Sequence, residues 1–331
     1  MRVGWILGGG ALFGIASAAI GTGPHWPGLK GVQYMFVFGD SYSTVSWSPS
    51  SAPVPTPENP IGVPWPGLTS VGPLQPNWVG YMTNGFNVSN LLAFDYAIAG
   101  NNVTGFTNQI QSEFMPTAGP KPATSPWTAD NSVFVSWIGI NDLHEGADPT
   151  TTMNTIMQQQ QSLYDVGARN FILINMPPWD RSPMGAQIAG LGPRVLAWNA
   201  MLADSTLTFS VAHQDASCLV FSSWDTMTTI LNNPARYNIT EPTTIGGDVW
   251  HDDLHITSFI HQRIANDMAG WLLSLPAGPS PTSSSSTIGT TSLAVPSGTA
   301  AQTPLLTITT PGYSASAVYN MPSGKPSSSD G

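Results

Sequence analysis

The chain has one cysteine, and charged residues occupy only 8% of its 331 positions. A single cysteine cannot form an internal disulfide, which removes one of the usual marks of an extracellular protein. Cys218 lies in the apolar stretch Ser-Cys-Leu-Val-Phe, which predicts a buried strand residue rather than a catalytic thiol. The 9 lysines and arginines form no cluster, and the formal net charge is −10. Because phosphate backbones need a basic face, this charge argues against a nucleic-acid partner and against adhesion to anionic membranes.

The sequence also lacks any long apolar run apart from residues 3–20, which follow the single positive charge of Arg2. The run ends in an Ala-Ser-Ala site at 16–18. Residues 1–18 are therefore predicted to be a secretory signal peptide, and the chain to be secreted and extracellular. A retained membrane anchor is the alternative, but the run is glycine-rich and barely long enough to span about 30 Å of hydrocarbon. We expect no membrane association after cleavage.

In a secreted chain, the sequons at Asn87, Asn102 and Asn238 would accept N-linked glycans. Asn102 is the weakest of these candidates, because it lies beside a candidate active-site glycine. From residue 277 onwards the composition changes to serine, threonine, proline and glycine, with almost no charge. Such a segment cannot bury enough apolar surface to fold. The sequence therefore predicts one folded domain at 19–276 and a Ser/Thr/Pro-rich disordered tail at 277–331.

Within the predicted domain, short apolar runs typical of strands alternate with segments typical of helices. The runs that predict strands are 34–38, 91–99, 132–138, 171–175 and 219–222. One segment that predicts a helix begins at Asn77, and three others cover 152–166, 193–213 and 256–275. This alternation predicts an α/β fold, a three-layer α/β/α sandwich with a mostly parallel five-stranded sheet. Residues 47–78 form a proline- and aromatic-rich insertion, which we expect to be an ordered loop forming one wall of a crevice.

Three predicted strands end in residues suited to acyl transfer. Ser41, in Gly-Asp-Ser, follows the first strand, Gly100 follows the second, and Asn141, in Gly-Ile-Asn-Asp, follows the third. In open α/β sheets, ligands bind at the carboxyl ends of the strands, so these residues are expected to converge there. A serine on a sharp turn at that edge would expose its hydroxyl as a nucleophile. Each segment alone is equally typical of a turn or a helix cap, so the inference depends on their combination.

A fourth segment, near the end of the predicted domain, supplies a base and an acid to orient it. In Trp-His-Asp-Asp-Leu-His, which ends at His255, Asp252 precedes His255 by about one turn. His255 would take the proton of Ser41 and return it to the leaving alcohol, while Asp252 would hold and stabilise the imidazolium. The backbone N–H groups of Ser41 and Gly100, with the side-chain amide of Asn141, would donate to the developing oxyanion.

These four segments resemble the sequence blocks of the SGNH (GDSL-type) hydrolases. The family's Gly-Asp-Ser, glycine, Gly-x-Asn-Asp and Asp-x-x-His are matched by residues 39–41, Gly100, 139–142 and 252–255. The resemblance covers about residues 29–275. It implies a flavodoxin-like α/β/α fold, a serine esterase activity, and the triad and oxyanion roles given above. We expect no metal and no organic cofactor.

Four longer stretches resemble the fungal acetylesterases of carbohydrate esterase family 16. They are Pro-Asn-Trp-Val-Gly-Tyr from residue 76, Leu-Tyr-Asp-Val-Gly-Ala-Arg-Asn-Phe from 163, Asn-Met-Pro-Pro-Trp-Asp-Arg-Ser-Pro from 175 and Asn-Asn-Pro-Ala-Arg-Tyr from 232. This resemblance implies removal of acetyl groups from plant cell-wall saccharides. The segment 237–250 is short and lacks the cysteines of many relatives, and Ile-Thr rather than Pro-Ser follows His255. Both departures lie beside the base and bear on substrate preference more than on mechanism.

An acetylated oligosaccharide or another small ester is the expected partner, bound by a monomer. Such neutral substrates suit an open crevice, whose candidate wall residues are Asp40, Trp47, Trp65 and Asp142. A GDSL lipase or esterase of broader acyl specificity is one alternative, and a non-catalytic saccharide-binding protein of the same fold is another. Proteins of the second kind usually lose a triad member, and none is missing here.

Two other catalytic classes fit less well. His251, His255 and His261 have the spacing of the long zinc-protease motif, but Asp252 replaces its glutamate and a serine replaces its glycine. An α/β-hydrolase is disfavoured, because the Gly-x-Ser-x-Gly elbow lacks its second glycine at Ser43.

Overall fold

Five parallel strands form one sheet in the computed structural model, which describes residues 21–86 and 88–278. The strands are β1 (Tyr34–Gly39), β2 (Leu92–Asp95), β3 (Ser132–Trp137), β4 (Asn170–Ile174) and β5 (Ser217–Phe221). Their order is β2-β1-β3-β4-β5, and every neighbouring pair is parallel. The predicted five-stranded parallel sheet is confirmed, and Cys218 is a buried free thiol within β5.

Helices cover both faces of this sheet. They are α1 (Trp78–Asn84), α2 (Val103–Asn108), α3 (Met115–Thr117), α4 (Ile140–Glu145), α5 (Pro149–Asp165), α6 (Leu191–Ala212), α7 (Ser223–Asn232) and α8 (Ser258–Ser274). Helices α7 and α1 both pack against α8, whereas α2 and α6 both pack against α5. Because β3, β4 and β5 are buried along their whole length, both faces of the sheet are covered. The fold is the predicted three-layer α/β/α sandwich.

The described residues all lie within one compact unit. The predicted signal peptide, the sequon at Asn87, and the predicted tail after Gly278 lie outside the described residues. The backbone N–H of Gly278 donates to the carbonyl of Trp26 at 2.8 Å, so the folded part includes the first two residues of the predicted tail. Across the two described ranges, no helix is both long enough and apolar enough to cross a membrane.

A ladder of phenylalanines fixes β1 at the centre of one half of the sheet. Phe36 lies opposite Phe94 of β2 on one side and opposite Phe134 of β3 on the other. Its ring centroid is 5.2 Å from that of Phe94 and 4.9 Å from that of Phe134. Such cross-strand aromatic pairs stabilise a sheet and its register, because they bury large apolar areas in one arrangement.

The strand order creates a crevice at the carboxyl end of β1. The chain leaves β1, adds β2 on one side, and then crosses back to add β3 on the other side. In doubly wound sheets the crevice at such a reversal, outside the carboxyl ends of the strands, is where ligands bind. Ser41 follows β1, Gly100 follows β2 and Asn141 follows β3, so the topology brings these three positions to the same edge.

The insertion 47–78 packs onto the sheet, with Trp47 as its anchor. The Trp47 ring is buried edge-on against Phe94 and Tyr96, with centroids 5.6 and 5.2 Å away, and its Nε1 donates to Pro53 O at 2.9 Å. The prediction that Trp47 lines the crevice is therefore wrong. Trp65 is half exposed, but its ring lies against Gly80 of α1.

Candidate active site

Ser41 stands on a turn whose backbone is held by the side chain of Gln109. Gln109 is buried in the π-helical segment Gln109–Phe114 that joins α2 to α3. Its Oε1 accepts from the N–H of Gly39 at 2.9 Å, and its Nε2 donates to the carbonyl of Gly39 at 2.7 Å. Position 39 has no room for a larger residue, since a Cβ there would lie 2.4 Å from the carbonyl oxygen of Trp137. The last residue of β1 is thus fixed on both sides before the chain turns to Ser41.

His255 connects the hydroxyl of Ser41 to the carboxylate of Asp252. The Nε2 of His255 lies 2.8 Å from Ser41 Oγ, and its Nδ1 lies 2.7 Å from Asp252 Oδ2. The other oxygen of Asp252 accepts from the backbone N–H groups of Leu254 and His255, at 2.8 and 2.6 Å. These contacts can pass a proton from the serine to the imidazole while the carboxylate stabilises the resulting positive charge.

The charge of Asp252 is maintained by its hydrogen bonds. Burial alone would raise the pKa of this carboxyl, but the hydrogen bonds from His255 and Leu254, with the nearby imidazole, outweigh burial and hold the pKa below its usual value. Asp252 is therefore ionised at neutral pH, which is the state that a protonated His255 needs beside it.

The turn that carries Asp252 and His255 is held by two further contacts. The backbone N–H of His251 donates to the carbonyl of His255 at 2.8 Å. The hydroxyl of Tyr42, the residue after Ser41, donates to the carbonyl of Leu254 at 2.7 Å. The side chain next to the candidate nucleophile therefore holds the segment that contains the candidate base. Sequence reasoning did not single out Tyr42, because no sequence pattern links positions 42 and 254.

Gly100 and Asn141 follow β2 and β3 as predicted. Gly100 has a positive φ of 79° and open space around its Cα, so the backbone conformation rather than crowding favours glycine there. Asn141 donates one hydrogen of Nδ2 to the carbonyl of Asn101 at 2.7 Å, which leaves the second hydrogen for another acceptor. Within the described part of the chain, the backbone N–H groups of Ser41 and Gly100 donate no hydrogen bond.

Two of the predicted wall residues, Asp40 and Asp142, are buried in the protein interior instead of lining the crevice. Asp40 is buried, and its Oδ1 accepts from the N–H of Tyr42 at 3.0 Å, while burial raises its pKa to about 7. Asp142 is also buried and accepts from the N–H of Val103 at 3.0 and 3.2 Å, at the start of α2. The prediction that Asp40 and Asp142 line the crevice is wrong, since both carboxylates stabilise backbone turns behind the site. Trp65 is exposed but is not among the residues that line the cleft beside His255.

That cleft has a volume of about 520 Å³. It is lined by His251, Asp252 and His255 and by residues of the loop 67–74. This loop is the part of the predicted wall that does face the site. The predicted wall, residues 47–78, includes this loop, but no motif distinguishes its residues Leu68, Thr69, Ser70 and Leu74 from the rest of the insertion.

The three histidines of the zinc alternative do not form a metal site. Both ring nitrogens of His255 are bonded to Ser41 and Asp252. His261 is buried on α8, where burial lowers its pKa to about 3. Among residues 21–86 and 88–278, no group of three or more histidine, cysteine or acidic side chains could hold a metal ion.

Two predicted glycosylation sites lie within the described residues. Asn238 is exposed, with a left-handed backbone at φ 56°. Asn102 caps α2 with its Oδ1, and its Nδ2 donates to Glu145 at 2.9 Å. The amide of Asn102 is thus engaged in the structure, whereas Asn238 is open to solvent.

Two of the solved structures that match this chain do so at low sequence identity. A lipolytic protein of the G-D-S-L family from Veillonella parvula is 15% identical, with a TM-score of 0.45 over 72% of this chain and 97% of that one. The acetylxylan esterase Axe2 from Geobacillus stearothermophilus is 13% identical, with a TM-score of 0.47 over 73% of this chain and 94% of that one.

Sequence comparison gives the stronger relationship. An acetylesterase of Thermothelomyces thermophilus is 31% identical over 269 residues, which cover 72% of this chain and 87% of that protein. The family described as GDSL-like lipase/acylhydrolase matches residues 35–268, which include Ser41, Gly100, Asn141, Asp252 and His255. The chain therefore belongs to the GDSL-like lipase/acylhydrolase family and is a carboxylic ester hydrolase.

Proposed function

We propose that this hydrolase is a secreted serine esterase that removes acetyl groups from plant cell-wall carbohydrates. Ser41 is its nucleophile, His255 its general acid and base, and Asp252 the group that orients His255. The observation that carries the proposal is the pair of contacts at His255, 2.8 Å to Ser41 Oγ and 2.7 Å to Asp252 Oδ2. Nucleophile, base and orienting carboxylate at hydrogen-bond distance are the arrangement that serine acyl transfer needs.

The reaction takes place in two steps. Ser41 Oγ attacks the ester carbonyl carbon as its proton passes to His255 Nε2, and the bond to the alcohol oxygen then breaks as His255 protonates that oxygen. In the second step water gives a proton to His255 and attacks the acyl-serine, which releases the carboxylic acid and restores the Ser41 hydroxyl. Asp252 stays ionised throughout and stabilises the imidazolium formed in each step.

Three donors are proposed for the oxyanion that develops in both steps. They are the backbone N–H groups of Ser41 and Gly100 and the free hydrogen of Asn141 Nδ2. The two backbone groups donate to nothing else in the described chain, and the bond to Asn101 fixes the direction of the amide. A preorganised donor of this kind typically contributes about 10²–10³ in rate.

Acetylated carbohydrate is the substrate that the relationships favour. The relative from Thermothelomyces thermophilus is described as an acetylesterase, and four stretches of this chain resemble fungal carbohydrate acetylesterases. No lysine or arginine lines the cleft beside His255, which suits a neutral substrate. The predicted signal peptide at 1–18 supports secretion to the extracellular space, where such polymers occur. We expect the mature enzyme to act as a monomer.

Replacement of Ser41 tests the proposal. Ser41→Ala is expected to lower hydrolysis of 4-nitrophenyl acetate by at least about 10³-fold, because the nucleophile is lost. The folded structure, measured by circular dichroism and thermal unfolding, should not change. Ser50→Ala is the matched control, since Ser50 is an exposed serine in the insertion. Unchanged turnover by Ser41→Ala would contradict the mechanism.

Two substrate panels test the finer parts of the proposal. Acetate release from acetylated xylo- and manno-oligosaccharides, mapped by NMR, should identify the sugar and position that react. Binding of these sugars without acetate release would favour the non-catalytic alternative. Equal or faster hydrolysis of octanoate than of acetate esters would favour a lipase of broad acyl specificity.

A further inference from the structure

The loop 67–74 presents two leucines to solvent at the edge of the cleft. Leu68 is 78% exposed and Leu74 is 82% exposed, the highest values among the large hydrophobic residues that the structure describes. Between them Val71 is buried and anchors the loop. Single exposed leucines are common on proteins, but two that line one cleft form a local apolar surface beside His255.

Hydrogen bonds hold this loop in place at both ends. At one end, Leu68 N donates to Val45 O at 3.2 Å, and Ser46 Oγ donates to Leu68 O at 2.8 Å. At the other end, the hydroxyl of Thr69 donates to the carbonyl of Gln75 at 2.7 Å. The two leucines therefore lie on a fixed surface rather than on a freely moving segment.

The backbone of Leu74 adds a second observation. Its φ is +56°, a left-handed conformation that leucine rarely adopts and that asparagine or glycine adopts more readily. The position therefore holds an exposed apolar side chain at a conformational cost. Such outliers persist where the surrounding structure holds them, and they cluster at active sites and ligand-binding loops.

The reaction itself decides which part of the substrate meets this loop. His255 must deliver its proton to the alcohol oxygen, so that oxygen leaves on the His255 side of the reacting carbon. The carbonyl oxygen points instead to the donors at Gly100 and Asn141. The loop 67–74 lines the same cleft as His255, so an alcohol that leaves on the His255 side meets this loop.

The lining of the cleft indicates what kind of alcohol fits. Its volume of about 520 Å³ is in the range of pockets that hold ring-sized ligands. Asp252 is the only aspartate, glutamate, lysine or arginine among the described residues that line it, so an anionic alcohol would meet a carboxylate and no lysine or arginine. The His251 imidazole lies against Gly72 and makes no hydrogen bond with the described residues, which leaves its ring nitrogens for a hydroxyl.

We propose that loop 67–74 and His251 form the leaving-group subsite, which takes an uncharged, ring-sized alcohol with one apolar face. Leu68 and Leu74 contact the C–H face of the ring, and His251 bonds one of its hydroxyl groups. This inference rests on the serine mechanism proposed above. It deepens that proposal, because it assigns selection of the alcohol to residues outside the triad and the oxyanion donors.

The test varies the alcohol and the acyl group separately. The variants are Leu68→Gln, Leu74→Asn, which suits a left-handed backbone, and His251→Ala. Leu207→Gln is the matched control, since Leu207 is an exposed leucine on α6. Each protein is assayed on methyl acetate, an acetylated xylobiose, 4-nitrophenyl acetate and 4-nitrophenyl butyrate.

Each of the three variants is expected to lower kcat/KM on the acetylated xylobiose about tenfold, as loss of one contact in a specificity pocket does. On methyl acetate kcat/KM should stay within about twofold of the parent value, and the acetate-to-butyrate ratio should not change. Equal losses on methyl acetate and acetylated xylobiose would overturn the subsite, as would a changed acetate-to-butyrate ratio. A parent enzyme inactive on all four esters would instead overturn the serine mechanism and the subsite with it.

Discussion

Tyr42→Phe removes one hydroxyl group. It should show whether the hydrogen bond of that hydroxyl positions His255 or only stabilises the fold. Tyr42 follows Ser41, and its ring is buried with its centroid 5.3 Å from that of Trp137 and 5.9 Å from that of His255. Its hydroxyl donates to Leu254 O at 2.7 Å, in the turn that carries Asp252 and His255. Phenylalanine keeps the ring and its packing and deletes only this hydrogen bond.

The size of the effect follows from that single bond. Deleting the hydroxyl leaves the carbonyl of Leu254 without its partner, which costs about 1–2 kcal/mol of unfolding free energy. In a domain of this size, that lowers Tm by about 2–8 °C. If the same restraint keeps His255 in line with Ser41 in the transition state, a loss of about 1.4 kcal/mol there lowers kcat about tenfold. KM should change less, because Tyr42 is buried and does not line the cleft.

Tyr96→Phe is the matched control. Tyr96 is equally buried, and its hydroxyl bonds to Thr117 Oγ1 at 3.2 Å, away from the turn that carries His255. Both variants should lose a similar Tm, but only Tyr42→Phe should lose kcat on 4-nitrophenyl acetate. A Tyr42→Phe enzyme with full kcat and lowered Tm would refute the reasoning, since the bond would then serve stability alone. Equal losses of kcat in both variants would refute it as well.

Two further predictions concern buried and paired carboxylates. Asp252→Asn should lower kcat by about 10²–10⁴, because the amide cannot stabilise the imidazolium, whereas the exposed neighbour Asp253 should tolerate the same change. Comparable activity in the two variants, assayed on 4-nitrophenyl acetate, would exclude Asp252 from the mechanism. Burial raises the pKa of Asp40 to about 7 and that of Asp95 to about 8, so the folded chain keeps protons that unfolded carboxyls release near pH 4. The unfolding free energy, measured by urea titration, should therefore fall as pH rises from 5 to 8, and a rise across that range would contradict these shifts.

The sequence predicted the sheet and the convergence of the candidate site because local patterns carry both. Buried strands appear as continuous apolar runs, and the residue types at the strand ends are restricted by what they do. The order of these segments along the chain then places Ser41, Gly100 and Asn141 at one edge through topology alone. His255, in the segment before α8, lies 2.8 Å from Ser41 Oγ at the same edge.

The parts that sequence reasoning missed depend on contacts between distant segments. The strand β2 ends at Asp95 rather than continuing to residue 99. The side chain of Asp95 accepts from the N–H groups of Val45 and Ala97, and these bonds hold the chain in a turn after the strand. The short helix α2, Val-Thr-Gly-Phe-Thr-Asn, has no apolar period long enough to predict it. Trp47 was assigned to the crevice because an aromatic residue in a loop gives no indication of which face of the loop it occupies.

The side chain of Gln109 gives the turn that carries Ser41 a support that the sheet does not provide. Beyond Val37, β1 has no strand partner on the β2 side, although Ile98 N, in the segment after β2, still donates to the carbonyl of Gly39 at 3.2 Å. Gln109 adds a second donor to that carbonyl and provides the acceptor for the N–H of Gly39. The amide of Gln109 thus completes the hydrogen bonds of Gly39 that the segment after β2 leaves unmade. Position 109 needs a side chain that both donates and accepts, since a carboxylate there would face the carbonyl of Gly39.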